Sequence, residues 1–237
     1  MTIQLENLAD TFWRQGYLVL EDFFSTETMD NLQNLILEHY GLNPEYEHEA
    51  AFLSKSETEV IPWFPQRCGE HAFDEIDQSP KLVELTKAIL GADWQGLYCM
   101  TMFSKKGTKG QAWHQDCPPD DPQQYNLNRL VYTMDINEQV GGEVLVIPGS
   151  HRLGKLPVGE VNEDFSEQVI LSPKQGTLVM IHGHTWHRVL PIKGDYRLST
   201  NYRAVPQNTP EDITDICVYR NMLYQFSTSK ILEDRLL

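Results

Sequence analysis

Gly141-Gly142-Glu143-Val144-Leu145-Val146-Ile147-Pro148-Gly149-Ser150-His151 reads as a turn, a short buried strand and a second turn. The same texture extends on both sides. Short β-like runs lie near residues 95–104, 111–116, 128–136, 143–147, 168–171, 176–182, 186–190 and 196–204, separated by clusters of Gly, Pro, Asn and Asp. Many short strands punctuated by turns predict a sandwich or a barrel.

Upstream of Gly91 the periodicity is helical. Leu5, Leu8, Phe12 and Trp13 fall at helical spacing within 4–15, and Gly16 is the stop. Tyr17-Leu18-Val19-Leu20 reads as a short buried strand. Ser25 is an expected N-cap for a helix to about Tyr40, with Met29, Leu32, Leu35 and Ile36 on one face. Ser79-Pro80 opens another helix, to Leu90. Residues 42–78 are acidic and weakly patterned, which predicts a lid or binding loop. Residues 219–235 return to helical composition. The expectation is α+β, mainly β, in a single domain spanning 1–237: a helical part over 1–92, a β core over 93–205 and a C-terminal helix within 215–235.

The 237 residues suffice for one large domain. Lys and Arg number 19 against 34 Asp and Glu, a net charge of −15. That balance argues against nucleic acid as a partner, because neutralising phosphates needs clustered cations. The charge is uneven: residues 1–80 carry a net −13 and the remainder −2. Cysteines at 68, 99, 117 and 217 form no C-x-x-C pair and suggest no disulfide framework. The first residues lack the basic start and apolar run of a signal peptide, and no aliphatic run approaches the roughly 18–20 residues needed to span a bilayer. A cytoplasmic protein without membrane partners is expected.

Two segments carry chemistry. In Trp113-His114-Gln115-Asp116, alternate residues of a strand share a face, so His114 and Asp116 project together with Cα atoms roughly 6.5–7 Å apart. That suits an imidazole nitrogen and a carboxylate oxygen meeting one cation; a surface pair in which Asp orients His is the ordinary alternative. The second segment is Thr185-Trp186-His187-Arg188, followed by Arg197-Leu198-Ser199. A later histidine joining an H-x-D pair makes two imidazoles and one carboxylate, the set that holds non-haem Fe(II) on one face and leaves open positions. A guanidinium forks onto a carboxylate in two parallel hydrogen bonds, which suits Arg197 to the distal carboxylate of 2-oxoglutarate.

These pieces converge. The chain resembles the phytanoyl-CoA dioxygenase-like family of Fe(II)/2-oxoglutarate-dependent oxygenases in the opening Gly16-Tyr17-Leu18-Val19-Leu20-Glu21-Asp22-Phe23-Phe24, the W-H-Q-D segment, the G-G-E-V-L-V-I-P-G-S-H-R-L-G run and the W-H-R segment ten residues before Arg197. The resemblance implies a double-stranded β-helix, or cupin-like jelly roll, with N-terminal helices packed outside. It implies His114, Asp116 and His187 as iron ligands, no catalytic residue beyond them, and Arg197 as the 2-oxoglutarate residue with Ser199 as a secondary contact. The implied cofactors are Fe(II), 2-oxoglutarate and O2, and the implied reaction hydroxylates a small or amphiphilic substrate with release of succinate and CO2. A carboxylate at 116 favours hydroxylation over halogenation, since related halogenases carry a small residue there. His151 matches the family's P-G-S-H histidine and is expected to be structural; His39, His48 and His71 are expected at the surface. Trp63, Phe64, Trp113 and Trp186 are candidates to line the pocket or to pack the core.

His182, His184 and His187 lie in one stretch. His187 is preferred partly by the resemblance and partly by a hairpin count. If Ile192-Lys193-Gly194 is a three-residue loop, Pro191 pairs with Asp195, His187 faces Ser199, and period two adds Arg197 to that face. Two other readings remain at this stage: a cupin-like metal protein that is not an oxygenase, and a catalytically silent binding scaffold.

Overall fold

Strand β10, Tyr196–Val205, is buried at every position except the half-buried Tyr196. Its alternation is chemical: Leu198, Thr200, Tyr202 and Ala204 on one side, Arg197, Ser199, Asn201 and Arg203 on the other. Both faces are therefore covered, the apolar one by helices and the polar one by a second sheet. The protein, seen in a computed structural model, is described over residues 2–41 and 47–225.

Two antiparallel six-stranded sheets make the β core. The first contains β1 (Tyr17–Leu20), β2 (Ile61–Trp63), β3 (Gln95–Lys105), β5 (Leu127–Val131), β8 (Leu178–His182) and β10, in the order β1-β8-β5-β10-β3-β2. The second contains β4 (Gln111–Gln115), β6 (Val144–Val146), β7 (Val169–Leu171), β9 (His187–Val189), β11 (Ile216–Tyr219) and β12 (Met222–Gln225), in the order β12-β11-β4-β9-β6-β7. From β3 onward successive strands cross between the sheets, the β6–β7 and β11–β12 pairs excepted, as in a jelly roll.

The N-terminal helices follow local sequence. In α1 (Thr2–Gln15) Phe12 is fully buried, and Gly16 stops the helix at φ 79°. Ser25 caps α2 (Thr26–Tyr40), its hydroxyl accepting from the Thr28 N–H at 3.2 Å, and Met29, Leu32 and Ile36 face inward. In α5 (Pro80–Leu90) Leu82, Leu85 and Ile89 do the same. These side chains pack with Leu127, Val131, Met180, Leu198 and Tyr202 on the outer face of the first sheet. Between the sheets, Leu130, Tyr132, Val144, Val146, Val179, Ile181 and Val189 form a second apolar cluster.

Three expectations are corrected. First, the stretch around 42–78 is more ordered than its pattern suggests: residues 42–46 lie outside the described residues, but α3 (Ala50–Ser56), β2 and α4 (Asp74–Asp77) follow. Second, the C-terminal helix expected within 215–235 is absent up to residue 225. Strands β11 and β12 stand there instead, pairing Val218 with Leu223 across a tight hairpin; residues 226–235 lie outside the described residues. Tyr219, Met222 and Tyr224 pack beside Phe52 and Ala112, and this pairing against β4 overrides a weak local helical preference. Third, 187–199 is not a hairpin. β9 pairs with β4 and β6 in one sheet while β10 pairs with β3 and β5 in the other, so the connection through Ile192-Lys193-Gly194 crosses between sheets.

One buried cation ties helices to sheet. The Arg129 guanidinium on β5 donates to Asp77 Oδ1 at 2.8 Å and to the Tyr202 carbonyl at 2.9 Å, and lies 4.9 Å from the Trp94 ring centroid. Removing one partner of a buried pair leaves an uncompensated charge. Asp77→Ala is expected to cost about 3 kcal/mol, the low end for such a break because Asp77 keeps some water; urea unfolding measures it.

Candidate metal centre

The polar face of β10 and the inner face of the second sheet enclose a cleft of about 1090 Å³, open mouth included. His114 on β4 pairs directly with His187 on β9, and on its other side with Tyr219 on β11. Opposed residues share a face, so the two imidazoles meet with ring centroids 4.1 Å apart, and the Tyr219 ring stacks on His114 at 5.0 Å. Asp116, two residues beyond His114, reaches the same point: its Oδ1 lies 3.6 Å from His114 Nε2 and its Oδ2 lies 3.5 Å from His187 Nε2. Ligand atoms of all three residues lie within 4.8 Å of one another, and all three residues are buried.

The proton positions follow from backbone contacts. His114 Nδ1 donates to the Ala112 carbonyl at 2.8 Å and His187 Nδ1 to the Thr185 carbonyl at 2.9 Å. A carbonyl only accepts, so each neutral ring carries its hydrogen on Nδ1 and turns an Nε2 lone pair inward. Burial, and then the neighbouring His187, lower His114 to about 3. Burial would raise the Asp116 carboxyl, but Arg203, then His187 and His114, hold it below the usual carboxylate range. Two imidazole lone pairs and one carboxylate, dry and convergent, have no hydrogen to share among them. A divalent cation satisfies all three, so the donor set fits the Fe(II) site of two histidines and one carboxylate.

Arg197 and Ser199 enter the cleft from the opposite sheet. Arg197 Nε donates to the Gly142 carbonyl at 2.8 Å and its Nη1 to Ser199 Oγ at 3.0 Å. The hairpin count is overturned, since Ser199 lies across from Met102 and His187 across from His114; His187 and Arg197 nevertheless both line the cleft, because each sheet turns its residue inward. The Gly-Gly run gains a role that its sequence does not show. A Cβ at Gly142 would sit 2.3 Å from Arg197 Cδ, at a φ of 75° that disfavours any other residue.

Other candidates are sorted differently. Trp63 packs among the helices, Phe64 against Tyr98, and Trp113 and Trp186 beneath Leu145 and Phe165 on the outer face of the second sheet. None of the four lines the cleft; Phe52, Tyr98, Tyr132, Tyr219 and Tyr224 do. His48, expected at the surface, is half-buried at the mouth, where its Nε2 meets the Val60 carbonyl at 2.8 Å. His151, His182 and His184 cluster around Tyr125 away from the cleft, with His151 Nε2 on the Trp13 carbonyl at 3.1 Å. Arg203 is a cleft residue to which the sequence alone gives no primary role. It lines the cleft with Nη2 3.5 Å from Asp116 Oδ1, and the signal for it was the R-x-S-x-N-x-R alternation over 197–203.

The family model for phytanoyl-CoA dioxygenase matches residues 12–197. The chain belongs to the phytanoyl-CoA dioxygenase family. Among curated relatives it is 28% identical over 167 residues to an ectoine dioxygenase of Sphingopyxis alaskensis, covering 66% of this chain and 53% of that protein. It is 22% identical over 174 residues to the ectoine dioxygenase of Halomonas elongata, covering 70% and 52%. The chain thus spans about half the length of the curated relatives it matches. Among solved structures, the epimerase SnoN in complex with Fe3+, alpha ketoglutarate and nogalamycin RO shares the fold at a TM-score of 0.71, with 17% identity over 91% of this chain and 90% of that one. HygX from Streptomyces hygroscopicus with nickel and 2-oxoglutarate bound does so at 0.67, with 12% identity over 86% and 88%. This dioxygenase-family member has the same jelly-roll architecture.

The neutral histidines set a pH dependence. Burial, and then His184 and His151, put His182 well below the ordinary imidazole value, as burial and His187 do for His114. In the unfolded chain each takes a proton near pH 6.5, while the folded state refuses it until much lower pH, so acid favours unfolding. The metal-free protein is expected to lose stability as pH falls from about 6.5 toward about 4. Urea midpoints at fixed ionic strength measure this, and a flat profile would show that these pockets admit the proton.

Proposed function

We propose that this family member is an Fe(II)- and 2-oxoglutarate-dependent oxygenase that hydroxylates a small or amphiphilic organic molecule and releases succinate and CO2. The observation that carries the reading is the convergence of two inward Nε2 lone pairs and the Asp116 carboxylate in a buried cleft, in a chain of this family. His114, Asp116 and His187 hold the metal. When bound, the iron supplies the oxidation, with 2-oxoglutarate and O2 as cosubstrates.

The chain's own residues orient and exclude. The carbonyls of Ala112 and Thr185 fix both imidazole tautomers. Arg197, held by Gly142, forks onto the distal carboxylate of 2-oxoglutarate, and Ser199, which accepts from Arg197, keeps its own hydroxyl proton to donate. Leu130, Val144, Ile181 and Val189 line the space between and keep it poor in water. No lysine lines the described cleft, and the surface is acidic overall, which favours a substrate without the phosphates of a coenzyme A ester. Among the described residues no helix is long and apolar enough to cross a membrane; a small molecule is the expected partner, as the ectoine dioxygenases' name indicates for those relatives.

Anaerobic addition of 2-oxoglutarate to the Fe(II)-loaded protein is expected to give the weak visible charge-transfer band of the chelate; its absence would sink the reading. Asp116→Ala should remain folded and lose hydroxylation. Fe(II)-dependent succinate formation near the wild-type level in that variant would remove Asp116 from the ligand set. Arg197→Ala truncates a buried charged contact, a change that costs about 2–5 kcal/mol, or roughly 30-fold to several-thousand-fold in 2-oxoglutarate affinity. Iron affinity should hardly change.

A further inference from the structure

We propose that Arg203 receives a carboxylate of the organic substrate, which makes that substrate a small apolar carboxylic acid. The proposal rests on the oxygenase reading above and adds a substrate class to it.

Arg203 is 7% exposed and lines the cleft. Its Nη2 approaches Asp116 Oδ1 at 3.5 Å, beyond the roughly 2.7–2.9 Å of a charge-assisted hydrogen bond. Its Nε and Nη1 are buried and have no hydrogen-bond partner among the described residues. Two other buried guanidiniums, one in the cleft and one beneath the helices, contrast with it. Arg197 has Gly142 and Ser199, and Arg129 has Asp77, Tyr202 and Thr86. A buried cation with unmade hydrogen bonds is costly. It is tolerated where a ligand completes it, and a guanidinium fork matches a carboxylate.

Charge balance points the same way. Among the described residues Asp116 is the only Asp or Glu lining the cleft. A bound dication draws on that carboxylate and on the chelating end of 2-oxoglutarate, which together neutralise it. The far end of 2-oxoglutarate is matched by Arg197, and Glu143 also acts on Arg197. Arg203 is six residues along the strand, about 20 Å between Cα atoms at ~3.3 Å per residue, and its one anionic neighbour, Asp116, is a carboxylate it shares with His114, His187 and the metal they would hold.

The neighbours supply the other half of the substrate. Antiparallel register sets Tyr98 across from Arg203, Met100 across from Asn201 and Met102 across from Ser199. Phe52 and Tyr224, stacked with centroids 4.0 Å apart, line the same cleft. Aromatic rings and adaptable thioethers around one cation suit an apolar body with an anionic end.

The test is calorimetric binding to the anaerobic protein loaded with Fe(II) and 2-oxoglutarate. The probes are straight-chain alkanoates and arylalkanoates of graded length, each beside its primary alcohol. At the best-fitting length the carboxylate should bind about tenfold or more tighter than the alcohol. Arg203→Met should abolish that preference and Arg203→Lys retain part of it, while 2-oxoglutarate affinity in the chelate titration stays within about threefold. If no carboxylate outbinds its alcohol in the wild type, the proposal fails. A loss of tenfold or more in 2-oxoglutarate affinity in Arg203→Met would assign the residue to the cosubstrate instead. Equal weakening of both probe series, together with weakened iron binding, would make it only a support for Asp116. Should Arg203→Met not fold, the wild-type comparison and Arg203→Lys decide. A missing chelate band in the wild type marks failure of the oxygenase reading itself, whereas a normal band without carboxylate preference overturns this inference alone.

Discussion

Two guanidinium groups are carried into the interior by the same face of β10, and burying cations constrains everything around them. A charge taken out of water must be met by fixed partners at close range. Arg197 is met by a backbone carbonyl that only a glycine at 142 can bring so near, and by the hydroxyl two residues along its own strand. Arg203 is met by Asp116 from the facing sheet. The separation of the two sheets, the turn at Gly141-Gly142 and the position of Asp116 beyond the end of β4 are thus parts of one electrostatic arrangement.

The opposite face of the same strand explains the helices. Leu198, Tyr202 and Ala204 need cover as much as the arginines need partners, and α1, α2 and α5 provide it. Arg129 adds a polar tie, reaching from β5 through the apolar layer to Asp77 on α4. A central strand covered on both sides cannot slip its register, because a shift of one residue would place leucine and tyrosine in the cleft and arginine among the helices. That rigidity holds the cleft residues where chemistry requires them.

At the metal centre the arrangement is complementary: two neutral donors and one carboxylate in place of the guanidiniums. Both imidazoles spend their hydrogens on backbone carbonyls two residues earlier, a local and inexpensive way to set tautomers. Asp116 then supplies the single negative charge, shared between the histidines and Arg203. The walls beyond the metal centre are aromatic and sulfur-rich, from α3, β3, β11 and β12.

The amino-acid sequence by itself determined α1, α2 and α5, with Ser25 as cap and Gly16 as stop, and the run of short strands after residue 91; together with the family resemblance it also picked out the residues that converge at the cleft: His114, Asp116, His187, Arg197 and Ser199. Those signals are local, carried by periodicity, caps and motif spacing, and they survive because the fold agrees with them. Only the tertiary structure decided the rest. The connection after His187 crosses between sheets because β9 and β10 each find better partners elsewhere than in one another. The end of the described chain is strand because β11 lies against β4 and not because its residues prefer it. Trp63, Phe64, Trp113 and Trp186 went to packing, while Phe52, Tyr219 and Tyr224 went to the cleft, and nothing in a ring's identity distinguishes the two destinies. Arg203 shares the Arg197 face by the alternation over 197–203, but it became a site residue through a contact with Asp116, 87 positions earlier in the chain, because burial and charge pairing are properties of the assembled sheets.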